Sequence, residues 1–308
     1  MADRISTPID PQPRQTLGYI RSRLDEHGIL PKNKLGQNFL IDLNLLDVIV
    51  QTAELTKTDL ALEIGCGTGS LTARLAELAG AVVGVELDPP LYRMVRELMD
   101  KFTHVRIFNL DALRNKNELN PGIGAALADL QVQHNCTQFK LVANLPYAVA
   151  TPVIANLLLS NQIPERMVVT IQWEVAERLT AAPNTEQFGA VSVLMQSLAE
   201  VAIIRKLPPS VFWPRPKVDS AIVMIRPDPA KFAEVGDPKS FRAFLRDLYV
   251  HKRKTLRSAL AGWPTGRRDK AWVDDLLRKL DLPGTIRAEE LNWKEHLRLW
   301  RGFMESSS

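Results

Sequence analysis

From about Leu60 to Trp173 the chain alternates short apolar runs with stretches of helical period: LALEI, a helix from about Thr68 to Ala79, AVVGVE, a helix after Pro89-Pro90, HVRIF, FKLVA and MVVTIQW. Strand, helix, strand in this rhythm predicts a parallel sheet covered by helices on both faces, an α/β fold. The stretch from Asn115 to Gln138 reads as loop-rich, and Thr151-Pro152 reads as a helix N-cap followed by proline at the first helical position. Past Leu198, EVAIIRKL and VDSAIVMIR read as strands that bracket PPSVFWPRPK and extend the sheet antiparallel. From Pro238 onward the period is helical, with Phe241, Phe244, Leu245 and Leu248 on one face and Val273, Leu276, Leu277 and Leu280 on another. A last helix is expected to carry Trp293, Leu297, Trp300 and Met304. The proline-rich run PDPAKFAEVGDP marks a boundary. The expected organisation is a tail and N-terminal helix over 1–29, an α/β domain over 30–234 and a smaller all-helical domain over 235–305.

Composition narrows the class. With 45% apolar residues over 308 positions the chain has enough apolar area for a packed core, and two cysteines, Cys66 and Cys136, suit a reducing compartment better than a disulfide scaffold. No window approaches the roughly 18 consecutive apolar residues of a membrane helix. The first fifteen residues lack the apolar core of a secretory segment, so a cytoplasmic protein is expected, with no metal and as a monomer. The net charge of +4 is uneven: from Asp237 to the end there are 16 Lys plus Arg against 10 Asp plus Glu, or +6, which leaves −2 for the first 236 residues. The basic run Lys252, Arg253, Lys254 with Arg257 suits a phosphate-bearing partner; the alternative is a solvated helix face.

Glu63-Ile-Gly65-Cys66-Gly67-Thr68-Gly69 follows a strand and opens a helix, where glycines let backbone approach a ligand that a Cβ would exclude. Glu86, at the end of the next strand, can accept both hydroxyls of a ribose. The G-x-G-x-G spacing differs from the dinucleotide loop, and a carboxylate at Glu63 repels pyrophosphate while suiting the ammonium group of a cofactor such as S-adenosylmethionine. Asp111, after the third strand, can accept an adenine amino group; its alternative role is a helix N-cap.

The fourth strand runs into Asn144-Leu145-Pro146-Tyr147, at the carboxyl edge where parallel sheets bind ligands. An exocyclic amino group on adenine is a poor nucleophile because its lone pair is delocalised into the ring. The Asn144 oxygen and a backbone carbonyl near Leu145-Pro146 could accept its two hydrogens and localise that pair, with Tyr147 stacked on the base. The alternative is a plain strand-to-helix turn.

Four segments in order resemble the ribosomal RNA adenine dimethyltransferases of the small ribosomal subunit: Lys34-Leu-Gly-Gln-Asn-Phe-Leu40, EIGCGTG with Glu86 and Asp111, the Asn-Leu-Pro-Tyr tetrad, and Phe212-Trp-Pro-Arg-Pro-Lys-Val-Asp-Ser220. The resemblance implies a Rossmann-like class I S-adenosylmethionine-dependent methyltransferase sheet with a helical C-terminal domain. It implies that the 36–40 segment closes over S-adenosylmethionine, held by Gln37, Asn38, Leu40, Gly65, Glu86, Asp111 and Asn144, to which the reading of the glycine loop adds Glu63 and Gly67. Catalysis falls to Asn144, Leu145, Pro146 and Tyr147, and Phe212 is the implied second aromatic against a flipped adenine. The implied substrate is a pair of adjacent adenosines in a hairpin near the 3′ end of small-subunit rRNA, within the precursor of that subunit. Ala190 stands where the family commonly has Arg, and Cys66 where it often has Pro. The rival expectations are adenine methylation on another nucleic acid and a non-catalytic RNA-binding assembly factor on the same fold.

Overall fold

The computed structural model describes residues 16–264 and 266–305; the first fifteen residues, read above as a tail, lie outside the described residues. The chain opens with α1 (Leu17–Glu26), β1 (Phe39–Leu40) and α2 (Leu43–Ala53), the last capped by Asp42, whose carboxylate accepts the Asn44 and Leu45 N–H groups. Then come β2 (Asp59–Ile64), α3 (Ser70–Leu78), β3 (Ala81–Glu86), α4 (Pro89–Met99) and β4 (Val105–Asn109). A hairpin of β5 (Leu113–Asn115) and β6 (Glu118–Leu119) leads to α5 (Pro121–Gln133), β7 (Gln138–Asn144), α6 (Ala150–Leu158) and β8 (Arg166–Gln172). After α7 (Trp173–Thr180) and α8 (Ala190–Leu198) come β9 (Ala199–Leu207), β10 (Phe212–Trp213) and β11 (Ser220–Pro227). The remaining helices are α9 (Pro229–Val235), α10 (Pro238–Tyr249), α11 (Leu256–Ala261), α12 (Lys270–Lys279) and α13 (Trp293–Glu305).

Seven strands form one sheet in the order β4-β3-β2-β7-β8-β11-β9. The first five are mutually parallel, and β11 runs antiparallel to both β8 and β9. The two late strands thus extend the sheet antiparallel, as the sequence predicts. Both faces are buried, and the period of two shows it: on β7, Leu141 and Ala143 join the core on one side and Val142 that on the other, and on β8 Val168 opposes Met167, Val169 and Ile171. The core under α5, α6 and α8 continues without a break into the C-terminal helices, where Phe241 meets Trp300 at 5.3 Å and Trp263 meets Phe303 at 4.6 Å between ring centroids.

Three local expectations change. The loop-rich stretch holds α5, which buries Ile123, Ala126, Leu127 and Leu130. The boundary run holds α9, capped by Asp228. Thr151 lies inside α6, which continues from a 3₁₀ turn at Tyr147–Val149, so it is not an N-cap. The expected last helix is present as α13, which carries all four residues named above and buries Leu297, Trp300 and Phe303, while Met304 is 46% exposed.

Where β2 and β7 begin, Lys140 donates from Nζ to Asp59 Oδ2 at 3.0 Å and to the Glu54 carbonyl at 2.7 Å, with both charged side chains buried. Removing one partner of a buried pair strands the other charge in low dielectric. Lys140→Met is therefore expected to destabilise the protein by about 3–5 kcal/mol, read as a lowered urea midpoint with unchanged slope. A midpoint equal to that of the parent protein would show that the pair carries no such weight.

Candidate active site

Successive parallel strands step outward from β2 to β3 and β4, and the chain then returns to the other side of β2 as β7. The carboxyl ends of β2 and β7 therefore diverge into a crevice, and the glycine loop and the tetrad leave from these two ends. Gly65, Gly67 and Gly69 have φ of +85°, +56° and +80°. A Cβ on Gly65 would lie 3.0 Å from Pro146 Cδ, and one on Gly67 3.1 Å from the Phe39 ring. The loop thus needs glycine both for its turn and for its close approach to the tetrad and to the 36–40 segment.

That segment is held over the crevice by a short antiparallel pairing of β1 with β10, Phe39 opposite Trp213 and Leu40 opposite Phe212. Beneath it is a cavity of about 230 Å³, lined by Gln37, Asn38, Gly65, Gly67, Glu86, Asp111, Asn144 and Tyr147, with Ile64, Leu91 and Leu110 on its apolar side. Glu86 accepts the Gly67 N–H at 2.8 Å on one carboxylate oxygen and the Asp88 N–H at 2.9 Å on the other, and burial raises its pKa. Each oxygen retains a lone pair, so a diol can be accepted as well. Asp111 accepts the Leu113 N–H at 2.9 Å in a turn ahead of β5; no helix starts there, and the N-cap alternative falls. Gln37 is fixed by donating to Asp88 Oδ2 at 3.1 Å, and Asp88 also pairs with Lys32 at 2.6 Å.

In the tetrad, Asn144 Nδ2 donates to the Asn38 carbonyl at 2.9 Å. This commits the amide nitrogen and fixes the oxygen as the group left for a ligand. The Leu145 N–H donates to Thr170, and the Pro146 carbonyl accepts the Val149 N–H at 3.1 Å. Of the two carbonyls the sequence left open, Pro146 already accepts one N–H within the turn, whereas Leu145 lines the cavity. The Tyr147 hydroxyl lies 2.7 Å from Ser220 Oγ, which anchors the far edge of its ring, and burial raises the phenol pKa.

A model of the family described as ribosomal RNA adenine dimethylase matches residues 30–283. The chain belongs to that family. It is 37% identical over 287 residues to ribosomal RNA small subunit methyltransferase A of Pelotomaculum thermopropionicum, covering 93% of this chain and 96% of that protein. The protein of the same name from Geobacillus kaustophilus is 36% identical over 282 residues, covering 91% and 93%. Among solved structures, a dimethyladenosine transferase from Plasmodium falciparum superposes with a TM-score of 0.70 at 24% identity over 86% of this chain and 97% of that one. The 23S rRNA methyltransferase ErmE gives 0.62 at 24% identity over 87% and 100%. These two likenesses concern the fold, a class I methyltransferase sheet.

Within this dimethylase frame, four of the expected site residues take the following positions. Leu40 is 4% exposed, with its side chain in the core under α2, and it borders a small pocket with Glu63, Gly65, Gly67 and Asn144 beside the main cavity; its strand neighbour Phe39, not among the expected contacts, lines both. Phe212 is 1% exposed and packed among Leu207 and Ile222, so no face of its ring is open to a base. Arg257 is engaged through Nε and Nη2 by Asp274, and Lys252 pairs with Glu289 at 3.7 Å; Lys252, Arg253 and Lys254 stand exposed on the turn after α10. Glu63 lies behind the glycine loop and outside the main cavity, where it accepts the Thr72 hydroxyl at 2.6 Å. Burial pushes its pKa to about 8, so at neutral pH it is mostly uncharged and gives little attraction to an ammonium group. Leu87 also borders the cavity, 47% exposed beside Glu86, with only its place after that carboxylate to signal it.

The raised Glu63 has a pH consequence. An unfolded chain ionises this carboxyl near its ordinary 4.5, the folded chain only near 8. Between these values the folded state holds the extra proton, so stability falls as pH rises. Glu63→Gln, which keeps an acceptor for Thr72, is expected to gain stability relative to the parent progressively from pH 5 to about 8, followed by urea unfolding at each pH. A constant difference across that range would contradict a buried neutral Glu63.

Proposed function

We propose that the chain transfers methyl groups from S-adenosylmethionine to the exocyclic amino groups of two adjacent adenosines in a hairpin near the 3′ end of small-subunit rRNA, giving N6,N6-dimethyladenosine. The observation that carries the reading is the Asn144 amide, lining the cavity with its nitrogen held by the Asn38 carbonyl. Its oxygen and the Leu145 carbonyl then accept the two amino hydrogens of adenine and leave the nitrogen lone pair directed away from the ring plane. Tyr147, anchored through Ser220, supplies the face on which the flipped base stacks.

The cavity suits the cofactor. A loop of left-handed glycines at a helix start, a buried carboxylate for a diol and an apolar flank for a flat ring match the parts of S-adenosylmethionine. When bound, the cofactor supplies an electrophilic methyl on a sulfonium, a good leaving group. The protein then has to position and polarise, and no strong base is required, since the methylated amine is acidic enough to lose its proton to water. Gln37, Asn38, Gly65, Gly67, Glu86 and Asp111 are the proposed cofactor contacts. The exposed Lys252, Arg253 and Lys254 are proposed to meet rRNA phosphates in the precursor subunit, by a cytoplasmic monomer whose catalytic and helical domains divide near residue 234.

Asn144→Ala tests the central claim. S-adenosylmethionine affinity by calorimetry is expected to change little, while incorporation of labelled methyl into unmethylated small subunits falls roughly 100-fold or more. Turnover equal to the parent would sink the assignment. Mapping the methylated nucleotides identifies the substrate: label appearing only on naked DNA or other RNA would move the activity to another adenine methyltransferase class.

A further inference from the structure

A second cleft, of about 490 Å³, lies between the β5–β6 hairpin, the C-terminal end of α6 and one face of α10. Three cations line it: Lys239, Arg242 and Arg246. Their spacing along α10 places Arg242 three residues from Lys239 and four from Arg246, where like charges on a helix repel. The fold neutralises little of this charge. Arg242 is half-buried, and its two terminal nitrogens donate to Asn156 Oδ1 at 2.8 Å and Asn117 Oδ1 at 3.2 Å, both uncharged acceptors. Among the described residues no carboxylate pairs with Arg242 or Lys239. Burial and the neighbouring Arg246 lower the pKa of Arg242. Asn156 is itself 5% exposed and is held by donating to the Lys116 carbonyl, so the arginine is oriented by a fixed support.

The nearby acids are otherwise engaged. Glu118 on the cleft wall meets Arg114 at 3.4 Å and accepts from Asn115 at 3.2 Å. Asp237 caps α10 by accepting the Lys239 and Ser240 N–H groups. Asp247 takes Arg246 Nε at 2.8 Å and leaves the other two nitrogens of that guanidinium for a ligand. A cleft built in this way selects an anion with several acceptor oxygens.

We propose that this cleft binds a phosphodiester of the RNA substrate, outside the cavity that holds the reacting base; the inference rests on the reading of the chain as an RNA methyltransferase. Two placements favour an RNA backbone over free phosphate. The helix α6 starts next to the tetrad and ends at the cleft, nine residues later, a span on the order of 13 Å that a short strand covers. At its other end α10 runs into the exposed Lys252, Arg253 and Lys254, of which Lys252 pairs with Glu289 at 3.7 Å, so further cations follow the cleft along the same helix.

The test uses the full chain and unmethylated small ribosomal subunits, with binding measured at several KCl concentrations. The double variant Arg242→Gln with Arg246→Gln is expected to bind about tenfold more weakly near physiological salt and to lower the slope of log K against log salt by about one, since losing the contact to one phosphodiester removes close to one released counterion. Its S-adenosylmethionine affinity, by calorimetry, is expected to equal that of the parent. Lys239→Gln, an exposed position that cannot disturb the core, is expected to weaken binding and to lower the slope in the same direction by less than about one. Unchanged affinity and slope in Lys239→Gln and in the folded double variant overturn the proposal, and if the double variant does not fold, an unchanged Lys239→Gln overturns it alone. Calorimetry with inorganic phosphate separates the sources: phosphate binding that depends on Arg242 and Arg246, with subunit binding unaffected by their loss, also overturns it. A parent protein that neither binds nor methylates the subunits instead sinks the methyltransferase reading.

Discussion

The crevice between the carboxyl ends of β2 and β7 is the constraint from which the site follows. Parallel strands direct every βα loop to one edge, but only where strand order reverses do two adjacent loops part and leave room for a ligand. The glycine loop fills one side of this gap and the tetrad the other, close enough that a single methyl on Gly65 would press on Pro146. The roof comes from farther away: β1, which pairs with β10, brings the Asn38 carbonyl to Asn144 across 106 residues of sequence. The Asn144 amide orientation is therefore set jointly by the sheet edge and by a strand outside the sheet.

Two glutamates show how the same residue type is given different work by burial. Glu86 sits at the cavity wall with two backbone N–H groups aimed at its oxygens, which offset the burial that raises its pKa. Glu63, one strand earlier, has a hydroxyl partner but no cation, and Glu86 itself repels its charge, so the proton is retained. A carboxyl in that state steadies the first turn of α3 through Thr72 and acts on a ligand only through the shape of the loop in front of it.

What the sequence made legible was whatever depends on backbone: the strands, the glycine turn, the reversal into the Asn-Leu-Pro-Tyr turn and the late antiparallel pair. What it left open was the facing of side chains on very short elements. In a two-residue strand there is no run of alternation to read, so Phe39 and Leu40, and Phe212 and Trp213, could be assigned to either side until their pairing was known. Helix α5 escaped for another reason. Its buried residues Ile123, Ala126, Leu127 and Leu130 keep a helical spacing, but Gly122 and Gly124 in its first turns and Val132, 80% exposed, in its last blur the apolar stripe. Arg257 was grouped with the basic run by sequence proximity, whereas a carboxylate seventeen residues away determines its surroundings.

The uneven charge acquires a spatial meaning once α10 is placed. A helix that carries Lys239, Arg242 and Arg246 along one cleft gains nothing from their mutual repulsion, and its own stability comes from the opposite face, where Phe241, Phe244, Leu245 and Leu248 are buried. The apolar face fixes α10 to the same continuous core that supports α6 and the tetrad. Charge and catalytic geometry are thus coupled through packing: the core that positions the Asn144 turn also sets how far the cationic track lies from it. A substrate anchored by its phosphates along α10 is held at a distance from the cavity that rigid elements determine, which is how a binding term far from the reacting base can contribute to its orientation.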